Sequence, residues 1–229
     1  MTDHTRYALF YVPRAGSALA AFGAAWLGWD SAAGAEVAHP DCPGLDVAAV
    51  TARPRKYGFH GTLKPPFRLA EGQSADALRE AARDLAAEIA AFDLPALRLS
   101  RLGRFLALVP SASSGALDAM AARVVTELDA FRAPPSAAEL ERRRASGLTE
   151  AEEANLTRWG YPYVLDQFRF HLTLTGALHP ETIAATEAAV LPLTNPFRAA
   201  PQPMREIALC GEAAHDGRIR VLDRFPLRS

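Results

Sequence analysis

Apolar positions fall into two rhythms along this chain, one with the spacing of strands and one with the spacing of helices. The stretch 6–12, RYALFYV, is dense in aromatic and aliphatic residues and stops at Pro13, which predicts a strand. Ser17 then offers a cap to a helix reaching about residue 27. Between 30 and 55 the pattern dissolves around Gly34, Pro40, Pro43 and Pro54. That predicts an irregular connection with at most a short helix near 45–51, placed where it can overhang a site. Order returns with a strand at 57–63 ended by Pro65-Pro66, a helix at 74–92 carrying Leu78, Leu85 and Ile89, and strands near 96–102 and 104–109. Further on, the same order recurs: a strand at 168–175, a helix at 181–190, and strands at 205–211 and 218–224 joined across His215-Asp216-Gly217. A strand–helix–strand–strand unit is therefore present twice, over about 57–110 and about 166–226, as a two-copy duplication.

Between the copies lie a helix at about 115–131 and then an insertion at about 133–160. Pro134-Pro135 breaks the chain, and two short charged helices follow, the second opened by Thr149 and Glu152 at the spacing of a capping box. The insertion reads as solvent-facing and as a cover over something. Neither half has enough strands for a comfortable core of its own, so residues 1–229 are read as one unit.

The duplicated first strands carry the same five-residue frame, FHGTL at 59–63 and FHLTL at 170–174, in a chain with six histidines. Residues two apart on a strand share a face. His60 and Thr62 thus point one way while Phe59, Gly61 and Leu63 point the other, and His171, Thr173 and Thr175 likewise oppose Phe170, Leu172 and Leu174. Packed about a pseudo-two-fold axis, the two polar faces meet in one cleft. Two imidazoles can then divide acid and base roles near neutral pH. The hydroxyls can donate to non-bridging phosphate oxygens. This set suits cleavage of a phosphodiester without a metal.

Composition narrows the partners. The 229 residues are 49% hydrophobic and 22% charged, enough for a full core, and the net charge of −1 provides no overall basic field for long nucleic acid. An anionic substrate must be met locally. Cys42 and Cys210 have neither metal-ligand spacing nor a disulfide framework, which suits a reducing cytoplasm. The opening residues lack the order of a signal peptide, and the longest apolar run, 18–29, is too short for a bilayer, so no membrane partner is expected. Neither a cofactor nor a metal is called for. The only two lysines, Lys56 and Lys64, flank His60.

RYALFYVP, RKYGFHGTLKPPF and TRWGYPYVLDQFRFHLTLTG resemble the two-histidine phosphoesterase superfamily, in the branch described for phosphonate metabolism. The likeness runs over nearly the whole chain. It implies an α+β fold, bilobal and duplicated, with two antiparallel sheets, helices outside and a central groove carrying the two His-x-Thr strands. It also implies metal-free hydrolysis of a small cyclic phosphate or of a 2′,5′-type phosphodiester. The family's catalytic pairs carry over to His60 with Thr62 and His171 with Thr173. Around them, Lys64, Thr175 and Tyr57 are candidate substrate contacts on the polar strand faces. Arg158 and Tyr161, from RWGYPY, can meet a phosphate and stack on a base or sugar, against a plainer reading in which the aromatics only pack. The run ERRR at 141–144 reads as a solvated helix face. The leading partner is thus a small cyclic phosphate or nucleotide. Two alternatives stay open: an enzyme processing RNA ends or 2′,5′ linkages, and a non-catalytic module that holds a nucleotide or phosphate. A metal-binding protein is weaker than these, because no carboxylate or cysteine recurs beside both motifs.

Overall fold

Short polar side chains start most of the helices. Ser17, Asp46, Ser74, Ser114, Ser136 and Thr149 each accept a hydrogen bond from the backbone N–H three residues on, satisfying a donor that the first turn leaves free. They open α1 (Ala18–Leu27), α2 (Val47–Arg55), α3 (Ala75–Glu88), α4 (Gly115–Glu127), α5 (Ala137–Arg144) and α6 (Glu150–Trp159). The last helix, α7 (Pro180–Arg198), begins instead on a proline whose missing N–H is no loss there. The computed structural model describes residues 4–229.

The strands are β1 (His4–Tyr11), β2 (Trp29–Asp30), β3 (Ala35–Glu36), β4 (Gly61–Phe67), β5 (Phe92–Leu94), β6 (Leu97–Leu102), β7 (Phe105–Pro110), β8 (Leu172–Thr173), β9 (Gln202–Met204), β10 (Glu206–Ala213) and β11 (Ile219–Pro226). Seven of them form one sheet in the order β11-β10-β1-β4-β8-β7-β6, every pair antiparallel, while β2–β3 and β5–β9 make separate two-stranded ribbons. The α+β class holds, but the expected pair of sheets is a single sheet. Its halves join at β4 and β8, where Gly61 pairs with Leu172.

The duplicated units are interleaved in that sheet. The hairpin β6–β7 of the first unit sits beside the motif strand of the second, and β10–β11 of the second lies, through β1, beside the motif strand of the first. The helices cover one face. Leu78 and Leu85 of α3, Met120 and Val124 of α4, and Val190 and Phe197 of α7 join Tyr7, Leu9 and Tyr11 of β1 in the main core. The alternate β1 residues Ala8 and Phe10, with Val12 just beyond the strand, form a smaller cluster on the opposite face, with Ala208 and Cys210. The strand period of two thus splits β1 between two cores.

Three local expectations are corrected. The first motif strand is shifted along the chain: β4 starts at Gly61, so Tyr57 to His60 precede it, and proline does not end it, since it runs through Pro65 and Pro66 to Phe67, where irregularities in its pairing with β1 accommodate the missing N–H groups. Helix α7 continues through Pro192 and Pro196 to Arg198, held by its buried Val190, Thr194 and Phe197. The second motif strand is only two residues long, because the chain before it turns in a 3-10 segment at Leu165–Gln167. The connection 30–55 also holds more order than its prolines suggest, in β2, β3 and all of α2.

Candidate active site

The pairing of Gly61 with Leu172 puts the two His-x-Thr frames side by side on neighbouring antiparallel strands. In that register His60 is carried toward Thr173 and Thr62 toward His171. The cavities follow the same exchange. One, of about 360 Å³, is lined by His60 and Thr173, and a second, of about 490 Å³, by Thr62 and His171. Phe105 and Tyr161 are walls of both. The two motifs therefore share one groove, each histidine with the other motif's threonine.

Both imidazoles are fixed in the same way. His60 Nδ1 lies 2.9 Å from the carbonyl oxygen of Gly58, and His171 Nδ1 lies 2.7 Å from that of Arg169. A carbonyl oxygen only accepts, so each Nδ1 carries the proton and each Nε2 is left for other work. Thr62 Oγ1 stands 3.1 Å from His60 Nε2 and donates its hydroxyl proton to it. Phe10 stacks on the His60 ring at 3.9 Å, and Phe105 lies 5.8 Å from the ring of His171. Burial pushes the His60 pKa down to about 4; the Gly58 hydrogen bond opposes the shift, and the nearby His171 adds to it. His60 is therefore neutral at pH 7.

Gly61 explains why the first motif has a glycine where the second has Leu172. A Cβ at Gly61 would sit 2.3 Å from the ring of Phe170, so the phenylalanine of one motif packs on the bare backbone of the other. Phe59 packs in the same manner on Gly23 of α1.

The other predicted residues divide. Tyr57 lines the first cavity, its ring 6.1 Å from His60, and Tyr161 lines both. Thr175 reaches the first cavity but is buried, its hydroxyl donating to the carbonyl of Gly176 at 2.8 Å and accepting from the N–H of Leu106 at 3.0 Å. Arg158 lines neither cavity; its guanidinium lies over Trp159 at 4.7 Å. Lys64 does not share the face of Thr62. Phe10 pairs with Thr62 and the next β1 residue, Leu9, pairs with Lys64, so a bulge at Leu63 reverses the alternation. Lys64 is 1% exposed, and its ammonium donates to the carbonyl of Val125 at 2.8 Å and pairs with Asp129 at 3.1 Å. Burial lowers its pKa to about 8 against the opposing pull of Asp129.

Residues that sequence reasoning missed complete the groove. Arg53 on α2 lines the first cavity and Arg169 the second, and among the described residues no carboxylate lines either. The signal for Arg53 lay in the basic stretch just before the first motif, in a segment read as irregular. Among the described residues no group of three or more histidine, cysteine, aspartate or glutamate side chains is placed to hold a metal ion. No helix of the described residues is long and apolar enough to cross a membrane.

The model of a family described as "Protein of unknown function (DUF1045)" matches residues 62–220. Two curated proteins named ribose 1,5-bisphosphate phosphokinase PhnN are similar to this chain. That of Janthinobacterium sp. (strain Marseille) is 42% identical over 76% of the chain and 39% of its own length, and that of Laribacter hongkongensis (strain HLHK9) 38% identical over 76% and 40%. The chain thus spans about two fifths of the curated relatives it matches. It has no G-x-x-x-x-G-K-[ST] phosphate-binding loop, since neither lysine follows a glycine. A crystal structure of E. coli LigT complexed with NADP+ aligns over 100% of both chains with a TM-score of 0.50 at 15% identity, which is a likeness of fold. By its match over most of its length, this chain belongs to the DUF1045 family, and its fold is like that of E. coli LigT.

Proposed function

We propose that this protein is a metal-independent phosphoesterase that opens a small cyclic phosphate, with His60 as general base and His171 as general acid. The observation that carries this reading is the reciprocal groove: two imidazoles with Nδ1 fixed on carbonyls, each lining a cavity together with the other motif's threonine, in walls that hold arginine and, among the described residues, no carboxylate. Neutral His60 takes a proton from water at Nε2 while the water oxygen bonds to phosphorus. The ester bond on the far side breaks, and its oxygen leaves as a hydroxyl by taking the Nε2 proton of protonated His171. On ligand binding the Thr62 hydroxyl turns from His60 to a non-bridging oxygen, Thr173 donates to another, and Arg53 and Arg169 offset the charge that builds there. Net, one water adds across one P–O bond and both histidines exchange charge states, to be reset through solvent.

The relatives' name suggests the substrate class. Opening a ribose 5-phosphate 1,2-cyclic phosphate at the O2–P bond yields ribose 1,5-bisphosphate, the compound in that name. Such a reaction would feed a kinase carried elsewhere in those longer chains, and it fits the phosphonate-metabolism branch that the sequence resembles. The test is product analysis by phosphorus NMR over ribose 5-phosphate 1,2-cyclic phosphate, nucleoside 2′,3′-cyclic phosphates and 2′,5′-linked RNA oligonucleotides. Turnover of the sugar cyclic phosphate, reduced ~100–10,000-fold by His60→Ala or His171→Ala, is expected. Turnover of the RNA alone would favour the end-processing alternative. Binding without turnover of any compound would leave an anion-binding module.

A further inference from the structure

A third cavity adjoins the groove where the insertion closes over the end of β4. It holds about 60 Å³, room for about four water-sized atoms, which is close to the bulk of one phosphate group. Arg6, Lys64, Arg68, Arg132, Arg142 and Arg143 line it, against one carboxylate, Glu139. Four of these cations are engaged. Arg6 pairs with Glu212, Lys64 and Arg132 share Asp129, and Arg68 meets both oxygens of Glu139 at 2.8 Å.

Arg142 and Arg143 differ. The run ERRR is the exposed face expected of it, and within it Arg144 spends its charge on a neighbour, Glu153 at 2.6 Å. Arg142 and Arg143 face the cavity mouth with no carboxylate partner among the described residues, and the Arg143 guanidinium lies over the Tyr161 ring at 4.6 Å. Tyr161 is also a wall of both histidine cavities, and Pro65 and Val164 are shared with the second. The basic cavity and the reacting groove therefore adjoin, with Tyr161 as their common wall. Adjacent guanidinium groups repel unless an anion joins them, and their planar donors match phosphate oxygens.

We propose that this cavity holds a second, non-reacting phosphate of the substrate, the terminal monoester of a sugar whose cyclic phosphate lies between His60 and His171. The inference rests on the phosphoesterase reading above and assigns the insertion a role: α5 supplies Arg142 and Arg143 as specificity determinants. Binding energy gained at the remote phosphate then positions the reacting one.

Two measurements test it. Calorimetry with ribose 5-phosphate should show ~10–100-fold weaker binding to the Arg142→Ala/Arg143→Ala double variant, and nearly unchanged binding to the His60→Ala/His171→Ala double variant. The reverse pattern, or binding indifferent to both arginines, would overturn the inference. In turnover, the arginine variant should lose kcat/KM on ribose 5-phosphate 1,2-cyclic phosphate, in kcat as well as KM, while keeping wild-type kcat/KM on the same sugar with a free 5-hydroxyl. Equal losses on the two compounds would remove the subsite and leave the phosphoesterase standing. Failure of the wild type to open either would instead sink the phosphoesterase reading, and the calorimetry would still decide whether the cavity takes a phosphate. Both arginines are exposed on α5, and an unchanged far-UV circular dichroism spectrum checks that the variant is folded.

Discussion

At the scale of single residues, His60 carries the most legible chemistry and also a measurable effect on stability. Its native pKa is pushed down to about 4, whereas an unfolded histidine titrates near ~6.5. Between those values the unfolded chain binds a proton that the native one does not, so stability is complete above about pH 6.5. It falls as the pH drops toward 4, and below that this residue contributes no further change. For a partly buried ring the loss is ~1–3 kcal/mol. Urea denaturation at pH 7 and pH 4.5 should therefore show a steeper loss for the wild type than for His60→Asn, which has nothing to titrate there. Parallel losses would mean that the imidazole is not held neutral by its surroundings. The residue identities behind this were plain in the sequence, because alternation along a strand needs only neighbours two positions apart. Lys64 was not, since the bulge at Leu63 that turns it into the core is set by how β1 pairs with β4. The stacking of Phe10 on His60 was hidden for the same reason.

At the scale of elements, the site depends on how closely β4 and β8 approach. Gly61 opposite Leu172 is the ladder pair between them, and the Phe170 ring occupies the space that any side chain at 61 would need. Phe170 is buried, so Gly61→Ala cannot be relieved by swinging a ring into solvent. Overpacking of this kind costs ~1–3 kcal/mol, or ~2–12 °C in Tm for a chain of this size. It also pushes apart the two strands whose faces carry both histidines. Gly61→Ala should lower Tm and turnover together, and adding Phe170→Leu should restore part of both. Strictly additive losses in that double-mutant cycle would show that the two residues do not share the space. Element types were legible wherever a periodic run had a cap, as at Ser17, Ser74 and Thr149. They were misjudged at prolines, because pairing irregularities in β4 and a buried face on α7 outweigh the lost hydrogen bonds.

At the scale of the whole molecule, the sequence shows two copies of one unit, and two copies suggest two lobes. The sheet order gives another answer, since each half of the sheet takes its motif strand from one copy and its hairpin from the other. Nothing local in the sequence records that exchange; it is a choice of partners between segments about 65 residues apart at β7–β8 and about 200 apart at β1–β10. Its consequence is that β8 is the only strand lying between β4 and β7, so removing the second copy leaves the first without a continuous sheet. The main core likewise draws on helices from both copies, α3 from the first and α7 from the second, together with α4 between them. Unfolding should then be a single cooperative event. Tryptophan fluorescence samples Trp26 in the core, Trp29 on β2 and Trp159 at the end of the insertion, while far-UV circular dichroism reports on all helices. In urea the two signals should trace the same transition with the same midpoint. Separate midpoints would mean that the halves fold as independent lobes and that the groove between the histidines is an interface able to open without unfolding either one.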